Sequence, residues 1–545
     1  MTTDPMRCSL LGLATALLLL AGCGAPPDGT TEERPTTLVY CSEGSPESFN
    51  PQIATAGTTF DASSRQIYER LVAFRIGSTE TIPGLAKRWE ISDDGRVYRF
   101  FLRRNVAFHD TEFFTPTRPF NADDVLFSFN RMADPDHPYH SVSNGIYKYY
   151  QDMDLGNLVE ALVRIDDYTI EFRLSEPYAP FLSTMAMDFA SILSAEYGEQ
   201  LMAAGSPEQI DQRPIGTGPY QFLRYQKDAQ IVYEAHPAYW RGREAIDRLI
   251  FAITVDPSVR YARLKRGECH VMGFPLPSDI AAMQADPNIT VDEQAGLNIG
   301  YWAFNTEKPP FDNRTVRLAM NHAINREAIL EAVYQGTGER AKNPIPPTIW
   351  SYDAGIEPIA YNPERARRLL REAGYGEGFE TDIWAMPVQR PYNPNARKVA
   401  EMIQADLDAI GVEARIQSYE WGTYLARSRR GDHDTILLGW TGDNGDPDNF
   451  FGNLLSCAAA RSGANRARWC DAEFDRLIRE ARGLSERSAR AQLYRKAQRR
   501  FKAELPWLTI AHSVRYQPAR SEVRGLKIDP FGGIYFSGVS LDPDA

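Results

Sequence analysis

The chain has 545 residues, of which 43% are hydrophobic and 24% are charged, and its formal net charge is −12. These values are ordinary for a folded globular protein, and they exclude a disordered chain, a collagen-like repeat and a polytopic membrane protein. The acidic balance argues against non-specific binding to nucleic acid, which needs a basic surface.

The N-terminus carries the features of an export signal. An apolar run over residues 10–21 is too short to span a bilayer, which is typical of a signal peptide, here over residues 1–22. The letters LAGC at its end resemble a bacterial lipobox, which implies cleavage before Cys23 and lipidation of that cysteine. The alternative is an ordinary signal peptide. We expect residues 23–37, which are polar, to form a flexible leash.

Four further cysteines agree with export to an oxidising compartment: Cys41, Cys269, Cys457 and Cys470. They allow three pairings, of which the local one joins Cys457 to Cys470 and leaves Cys41 with Cys269. The alternatives are four free thiols or a metal site. The spacing argues against the metal, because no two of these cysteines have the two-residue separation of zinc motifs.

The first predicted elements lie in two stretches. Residues 89–102 are predicted to form two strands around a turn at Asp94 and Gly95, and Asn121 is predicted to cap a helix whose first turn is acidic. Farther along, residues 249–255, 258–266 and 269–274 are predicted as a strand, a helix and a strand.

The second half of the chain alternates more regularly. Asn362 and Pro363 are predicted to begin a helix that ends near Gly374. Strands are then predicted over residues 379–386, 412–420 and 434–440, and helices over residues 394–410 and 421–430. Such alternation indicates a parallel sheet with right-handed crossovers. The sequence therefore predicts an α/β fold with two regions, each able to hold its own core.

Ligands of parallel α/β sheets bind at the carboxyl ends of the strands. One such end is followed by Arg390 between prolines and a tyrosine, and another by an acidic loop that begins near Asp443. An arginine on one side and a carboxylate on the other suit a zwitterion. The alternatives are a surface ion pair, helix caps, or a calcium site, although the loop lacks the glycine and distal glutamate of an EF-hand.

Motifs of catalysis are absent from the sequence. There is no GxSxG, HExxH or P-loop pattern, and the eight histidines are scattered. The Gly-Thr-Gly at residues 216–218 is followed by proline, so a turn is favoured over a phosphate loop. We therefore expect no enzyme activity, no catalytic residue, no cofactor and no metal.

Seven motifs resemble those of the solute-binding proteins of peptide-type ABC importers. Within that family, the chain is most similar to the dipeptide-binding branch. The resemblance covers nearly all of the chain after the leash. The motifs are YCSEGSPESFNPQ (40–52), AGTTFDASS (56–64), IPGLAKRWEISDDGRVYRFFLR (82–103), NADDVLFSF (121–129), PIGTGPY (214–220), AMPVQRPYNPNAR (385–397) and GWTGDNGDPDNF (439–450).

This resemblance implies a two-lobed periplasmic-binding-protein clamshell, an α/β fold with an additional α+β subdomain in the first lobe. Lobe I would consist of residues 38–67, 221–297 and 511–545, with residues 68–220 as the subdomain. Lobe II would be residues 298–510. The pair Cys41–Cys269 would then lie in the first lobe and Cys457–Cys470 in the second.

The resemblance also implies a peptide clamp. Arg390 matches the arginine that holds the peptide carboxylate, and Asp443 matches the aspartate that holds the ammonium. The other expected ligand contacts are Trp440, Thr441, Gly442, Tyr392, Pro391 and, from the first lobe, Thr55.

The implied function is capture of dipeptides outside the cytoplasm and delivery to an ABC permease with its ATPase subunits. We expect a monomer attached to the membrane only by its N-terminal lipid, with no nucleic-acid partner. The alternatives are the same fold binding haem, glutathione or longer peptides, an extracytoplasmic peptidase, and a peptide chaperone or chemosensory adaptor.

Overall fold

Residues 35–542 are described by a computed structural model, without the side chain of residue 152. The twenty strands of these residues are β1 (Thr37–Ser42), β2 (Val72–Phe74), β3 (Thr81–Pro83), β4 (Ala86–Ile91), β5 (Val97–Leu102), β6 (Val159–Asp166), β7 (Thr169–Leu174), β8 (Tyr220–Gln226), β9 (Gln230–Ala235), β10 (Arg248–Ile253), β11 (Val271–Met272), β12 (Ile289–Ala295), β13 (Asn298–Phe304), β14 (Gly338–Arg340), β15 (Phe379–Trp384), β16 (Val412–Gln417), β17 (Thr435–Thr441), β18 (Trp507–Arg520), β19 (Val523–Arg524) and β20 (Ser540–Leu541).

The α-helices of the same residues are α1 (Gly57–Ala62), α2 (Ala122–Ala133), α3 (Lys148–Asp152), α4 (Leu155–Leu158), α5 (Phe181–Thr184), α6 (Ala195–Ala203), α7 (Pro257–Lys265), α8 (Ile280–Gln284), α9 (Arg314–Ala323), α10 (Arg326–Ile329), α11 (Pro363–Glu372), α12 (Ala396–Asp408), α13 (Trp421–Arg430), α14 (Asp448–Leu455), α15 (Cys457–Ser462), α16 (Ala472–Gly483) and α17 (Arg487–Glu504). Shorter helical turns are Val142–Asn144, Asp188–Ala190, Pro207–Asp211, Pro277–Asp279 and the π-helical Leu330–Tyr334.

The largest sheet runs in the order β16-β15-β17-β13-β18-β11-β1-β10-β9-β8, and β12 and β14 also pair with β18. Strand β18 joins its two halves. The first half of β18 pairs antiparallel with β13, and its second half pairs antiparallel with β12. The segment between residues 86 and 174 forms a separate four-stranded antiparallel sheet in the order β4-β5-β7-β6.

The predicted β-α-β-α-β unit is confirmed. Strand β15 pairs in parallel with both β16 and β17, and helices α12 and α13 make the crossovers. The helix predicted over residues 394–410 begins at Ala396, because the Asn395 side chain caps it by accepting from the Lys398 N–H at 3.0 Å. Strand β17 also pairs antiparallel with β13, so the sheet is mixed.

Local signals fix several other elements as predicted. Asn121 caps α2 with a reciprocal capping box, and Asn362 caps α11 with Pro363 in the first turn. Strands β4 and β5 pair around Gly95, which has a φ of +70°. The predicted strand over residues 269–274 is too long: β11 pairs over two residues and the chain turns at Phe274, whose φ is +50°.

Strands β13 and β17 are buried on both faces. Tyr301 and Ala303 of β13 belong to one hydrophobic core, and Trp302 and Phe304 belong to another on the opposite face of the sheet. Both of these cores are built from residues between 297 and 511, whereas the large core of the first part of the chain uses residues 38–271 and 519–539. The two parts of the chain thus have separate hydrophobic cores, although both contribute strands to the same large sheet.

Two disulfide bonds join the four cysteines of this part of the chain. Cys41 bonds to Cys269, with a Cα–Cα distance of 5.8 Å, and Cys457 bonds to Cys470, with a Cα–Cα distance of 4.6 Å. These are the pairs expected from the sequence.

The predicted signal peptide over residues 1–22, Cys23 and most of the predicted leash lie outside the described residues. The end of the leash segment is held by the sheet, because the Thr36 N–H donates to Asp247 at 2.8 Å and β1 begins at Thr37. No helix within residues 35–542 is long and apolar enough to cross a membrane.

Candidate ligand-binding cavity

A cavity of about 1290 Å³ lies between two parts of the chain. One wall comes from residues 148–178, and the other comes from residues 301–482. The two walls touch at the edge of the cavity, where the Ala179 N–H donates to the Arg482 carbonyl at 2.9 Å. A second cavity, of about 410 Å³, lies beside the first, and Arg390 and Pro391 line both.

Arg390 is held by the loop that follows β15. Its backbone forms an isolated bridge with Asn393, with N–O distances of 3.1 and 3.0 Å in the two directions. The guanidinium carbon lies 5.0 Å from the centre of the Trp421 ring, and the guanidinium donates to the Gln389 carbonyl at 3.3 Å. Within residues 35–542 Arg390 forms no ion pair. Its charge is therefore positioned on the cavity wall and available to an anion.

The Tyr392 side chain is buried rather than exposed. It is 8% exposed, and its backbone carbonyl accepts from the Tyr334 hydroxyl at 2.8 Å. The ring lies over Gly439 of β17: a Cβ added at Gly439 would lie 2.2 Å from Tyr392 Cδ2. Burial raises the pKa of Tyr392 to about 12, so the hydroxyl stays neutral and can accept from Arg390.

Asp443 lies just after the carboxyl end of β17 and is held by Asn449. The Asn449 Oδ1 accepts from the Asp443 N–H at 3.0 Å, and its Nδ2 donates to Asp443 Oδ2 at 3.2 Å. From the opposite wall, the Tyr149 hydroxyl hydrogen-bonds with the Asp443 carboxylate. Burial raises the pKa of Tyr149 well above its ordinary value, so this hydroxyl remains a donor. The carboxylate is thus oriented from both walls.

The residues next to Asp443 differ in their surroundings. Trp440 lines the cavity, and its Nε1 donates to Asn449 at 2.9 Å; Thr441 also lines it. Gly442 is not among the lining residues. Its N–H donates to the Leu297 carbonyl at 2.7 Å, and a Cβ there would lie 2.8 Å from the Phe450 ring. Gly442 therefore serves close packing at the strand end.

Arginines pair with the remaining acids of the 443–448 loop. Asp446 pairs with Arg490 at 2.8 Å, and Asp448 pairs with Arg482 at 3.1 Å. No group of three His, Cys, Asp or Glu side chains that could hold a metal ion occurs in residues 35–542. Asp446 and Asp448 are therefore engaged in ion pairs within the protein.

Thr55 is not brought to either cavity. It is exposed in the loop before α1 and is absent from the residues that line the two cavities. The other seven predicted contacts lie together on the wall formed by residues 301–482 or immediately behind it.

Sequence patterns did not reveal several residues of this site. Trp421, Tyr149 and Asn449 were not predicted, although Asn449 lies within a motif that the sequence singled out. A glycine inside a buried strand, as at Gly439, signals close approach by another group. That signal was present in the sequence, but nothing local indicates which group approaches.

The fold and the cavity between two separately cored parts define a two-lobed binding protein, an α/β clamshell. Residues 80–462 match the family model described as bacterial extracellular solute-binding proteins, family 5. The chain belongs to this family.

Three proteins illustrate how similar this chain is to other proteins in sequence or structure. The dipeptide-binding protein of Escherichia coli is 53% identical over 506 residues, covering 93% of this chain and 95% of that one. Heme-binding protein A of Haemophilus influenzae is 48% identical over 540 residues, covering 98% of each. The dipeptide-binding protein of Pseudoalteromonas sp. SM9913, solved in complex with Met-Leu, has a TM-score of 0.78 and 43% identity, covering 93% of this chain and all of that one.

Proposed function

We propose that this protein captures dipeptides in the larger cavity and delivers them to the membrane permease of an ABC importer. Arg390 holds the peptide carboxylate, and Asp443 holds the peptide ammonium. One observation carries the proposal: a guanidinium without an ion-pair partner in residues 35–542 and a carboxylate oriented by Asn449 line the same cavity. The relatives named for dipeptide binding support it.

Two fixed charges select for length as well as for charge. A dipeptide spans roughly 7 Å, at about 3.3–3.6 Å per residue, so two fixed charges that engage both of its ends also measure its length. Each charge-assisted hydrogen bond contributes about 1.5–3 kcal/mol, since closure of the cavity excludes water. Trp440, Thr441, Tyr392 and Pro391 complete the wall around the ligand, and Gly442 shapes the strand end.

The lobe boundaries follow from the same proposal. Lobe I is residues 38–67, 221–297 and 511–545, its subdomain is residues 68–220, and lobe II is residues 298–510. The separate hydrophobic cores support this division. A ligand that touches both lobes favours the closed state, because it binds that state more tightly. The closed form then docks on the permease, and the ATPase subunits supply the energy.

We further propose that the protein acts as a monomeric binding protein and not as an enzyme. It is attached to the membrane by a lipid on Cys23, and it works outside the cytoplasm. The membership of the extracellular solute-binding family supports the compartment, and the LAGC sequence supports the anchor.

A second candidate is a bulkier ligand in the same cavity. Its volume of about 1290 Å³ exceeds the ~300–1,000 Å³ of common small-molecule sites. Haem is one such ligand, because a relative of 48% identity is named a heme-binding protein. A longer peptide is another.

Calorimetry with three matched ligands tests the dipeptide proposal. We expect Ala-Leu to bind, and both N-acetyl-Ala-Leu and Ala-Leu amide to bind at least about 10-fold more weakly, because each lacks one charged end. Equal affinity for all three would contradict the clamp. Tight haem binding that Ala-Leu does not displace would favour the second candidate.

A further inference from the structure

Several arginines that line the larger cavity form no ion pair within residues 35–542. In the described part of the chain, neither Arg429 nor Arg466 forms an ion pair, although both line the cavity. Two other arginines of the same wall are paired, Arg479 with Asp475 at 3.1 Å and Arg482 with Asp448 at 3.1 Å. Some guanidinium groups of this wall are therefore neutralised by carboxylates, and others are not.

Of the two arginines, Arg466 gives the stronger evidence for an anionic ligand group. It is 6% exposed, its Nε has no hydrogen-bond partner in the described residues, and one guanidinium nitrogen donates to the Gly463 carbonyl. The Tyr301 and Tyr424 hydroxyls lie close enough to interact with it electrostatically. A buried cation without a counter-ion is costly, because it has lost its hydration and gained no carboxylate. An anionic ligand group would remove that penalty.

Arg429 lies beside Arg466 because two helix ends meet. A Cβ added at Gly463, which follows α15, would lie 2.2 Å from the Arg429 carbonyl at the end of α13. The Arg429 guanidinium lies near enough to Arg466 to disfavour the charge of Arg466. The charges of the nearby arginines on α13 are neutralised, since Arg427 and Arg430 both pair with Asp432.

One face of α13 connects these arginines to the proposed clamp. Trp421, Leu425 and Arg429 are spaced by four residues and all line the cavity. Arg390 lies over Trp421 at the start of this face. Arg429 lies eight residues after Trp421 on α13, which is about 12 Å along the helix axis. A side chain that leaves a peptide held at Arg390 can therefore follow this face toward Arg429.

Apolar side chains line the same cavity as these arginines. Tyr301 of β13 lies directly opposite Leu438 of β17, and both line the cavity next to Arg466. Such walls suit the methylene groups of a side chain, and the guanidinium groups suit a carboxylate at its tip. Glutamate has both features.

We propose that Arg429 and Arg466 form a subsite for the acidic side chain of a bound dipeptide, so that the protein prefers peptides containing glutamate. This rests on the proposed dipeptide function. The preference is set by the ligand's side chain and is separate from recognition of its two ends.

Calorimetry with isosteric pairs tests the proposal at fixed pH and ionic strength. We compare Ala-Glu with Ala-Gln and Glu-Ala with Gln-Ala, because the subsite can receive either side chain. At least one glutamate peptide should bind about 10-fold or more tightly than its glutamine partner. Equal affinities within both pairs would overturn the subsite while leaving the dipeptide function standing. Binding of none of the four would overturn the dipeptide function itself, and the subsite with it.

Variants locate the preference. Arg429→Gln and Arg466→Gln should each reduce the Glu-to-Gln affinity ratio at least threefold. Arg430→Gln is the matched control, because it removes the same charge one residue away and does not line the cavity. Thermal unfolding shows whether the buried Arg466 variant is folded; if it is not, Arg429→Gln decides. A ratio unchanged in Arg429→Gln and in every folded Arg466 variant would overturn the assignment.

Discussion

Gly300 and Gly439 lie directly opposite each other in the antiparallel ladder of β13 and β17, and Tyr392 occupies the space above both. A Cβ at Gly300 would lie 2.3 Å from the Tyr392 carbonyl oxygen, and one at Gly439 would lie 2.2 Å from its ring. The pair forms a seat for the loop that carries Arg390. Two residues with no side chain thus determine where a cationic group of the cavity lies.

Replacing Gly439 with alanine should therefore disturb both stability and binding. The new methyl group also approaches the Ile299 carbonyl to 2.4 Å, and the backbone cannot move aside easily. We expect a loss of about 1–3 kcal/mol in unfolding free energy, as for other overpacked sites, and weaker dipeptide binding. Urea unfolding and calorimetry measure the two effects. Gly483→Ala is the control, since a Cβ there meets nothing within 4 Å; equal behaviour of the two variants would contradict the seat.

Removing either charge of the clamp should abolish or greatly weaken binding. We expect no detectable dipeptide binding by Asp443→Ala, and at least about a 10-fold loss for Arg390→Gln, because each leaves a charged end of the ligand unpaired in a closed cavity. Calorimetry with Ala-Leu measures this. Glu176→Gln, which changes an exposed carboxylate at the mouth of the cavity, should bind normally. Unchanged affinity in Asp443→Ala would refute the assignment.

Asn449 should act as a positioning residue. It orients Asp443 and also accepts from the Trp440 indole. Asn449→Ala should reduce Ala-Leu affinity by about 10-fold, less than Asp443→Ala, because the carboxylate remains but is no longer fixed. Trp440 should also show altered intrinsic fluorescence. Asn288→Ala, at an exposed position that lines neither cavity, is the control. An effect equal to that of Asp443→Ala, or none at all, would speak against positioning.

Glu43 should make the stability depend on pH. Burial raises the pKa of this carboxyl to about 7, and the nearby Asp61 carboxylate adds to the shift, while Arg260 opposes it and Tyr40 donates a hydrogen bond at 3.4 Å. In the unfolded chain its pKa is about 4.3. The folded state therefore holds the proton more tightly. This stabilisation is full below about pH 4.3 and is lost as the pH rises through 7.

The variant Glu43→Gln cannot ionise. Relative to the unmodified protein, it should gain on the order of 2 kcal/mol of unfolding free energy at pH 8 and little at pH 4.5. Urea unfolding across this range measures the difference. Glu47→Gln, an exposed change in the same loop, is the control. A difference between Glu43→Gln and the unmodified protein that does not vary with pH would contradict the expectation.

The two disulfides should contribute unequally to stability. Cys457–Cys470 spans 13 residues and Cys41–Cys269 spans 228. Loop-closure entropy then gives about 3 kcal/mol for the first and about 5 kcal/mol for the second. Double alanine variants compared by urea unfolding under non-reducing conditions test the order. A larger loss from the short loop would show that closure entropy does not govern these bonds.

The sequence by itself determined the local elements and named the two charges of the clamp. Asn121 and Asn362 were identified as caps, and α13 was predicted with its observed ends, because these signals act within one turn of chain. The alternation of strands and helices likewise indicated that β15, β16 and β17 form a parallel set, whereas the structure decided that β15 lies between the other two. Strand patterns placed Arg390 and Asp443 after strand ends, and the family resemblance implied their roles in the proposed clamp.

Only the tertiary structure decided what surrounds those charges. Tyr149 reaches Asp443 from nearly three hundred residues away, and the seat of Tyr392 joins two strands and a loop that are distant in the chain. Thr55 was expected from the family resemblance as a first-lobe contact but does not line either cavity. No local sequence pattern indicates a role for Arg466, because its proposed role depends on burial without a counter-ion. Packing partners are set by the approach of remote segments, and local patterns carry no record of that approach.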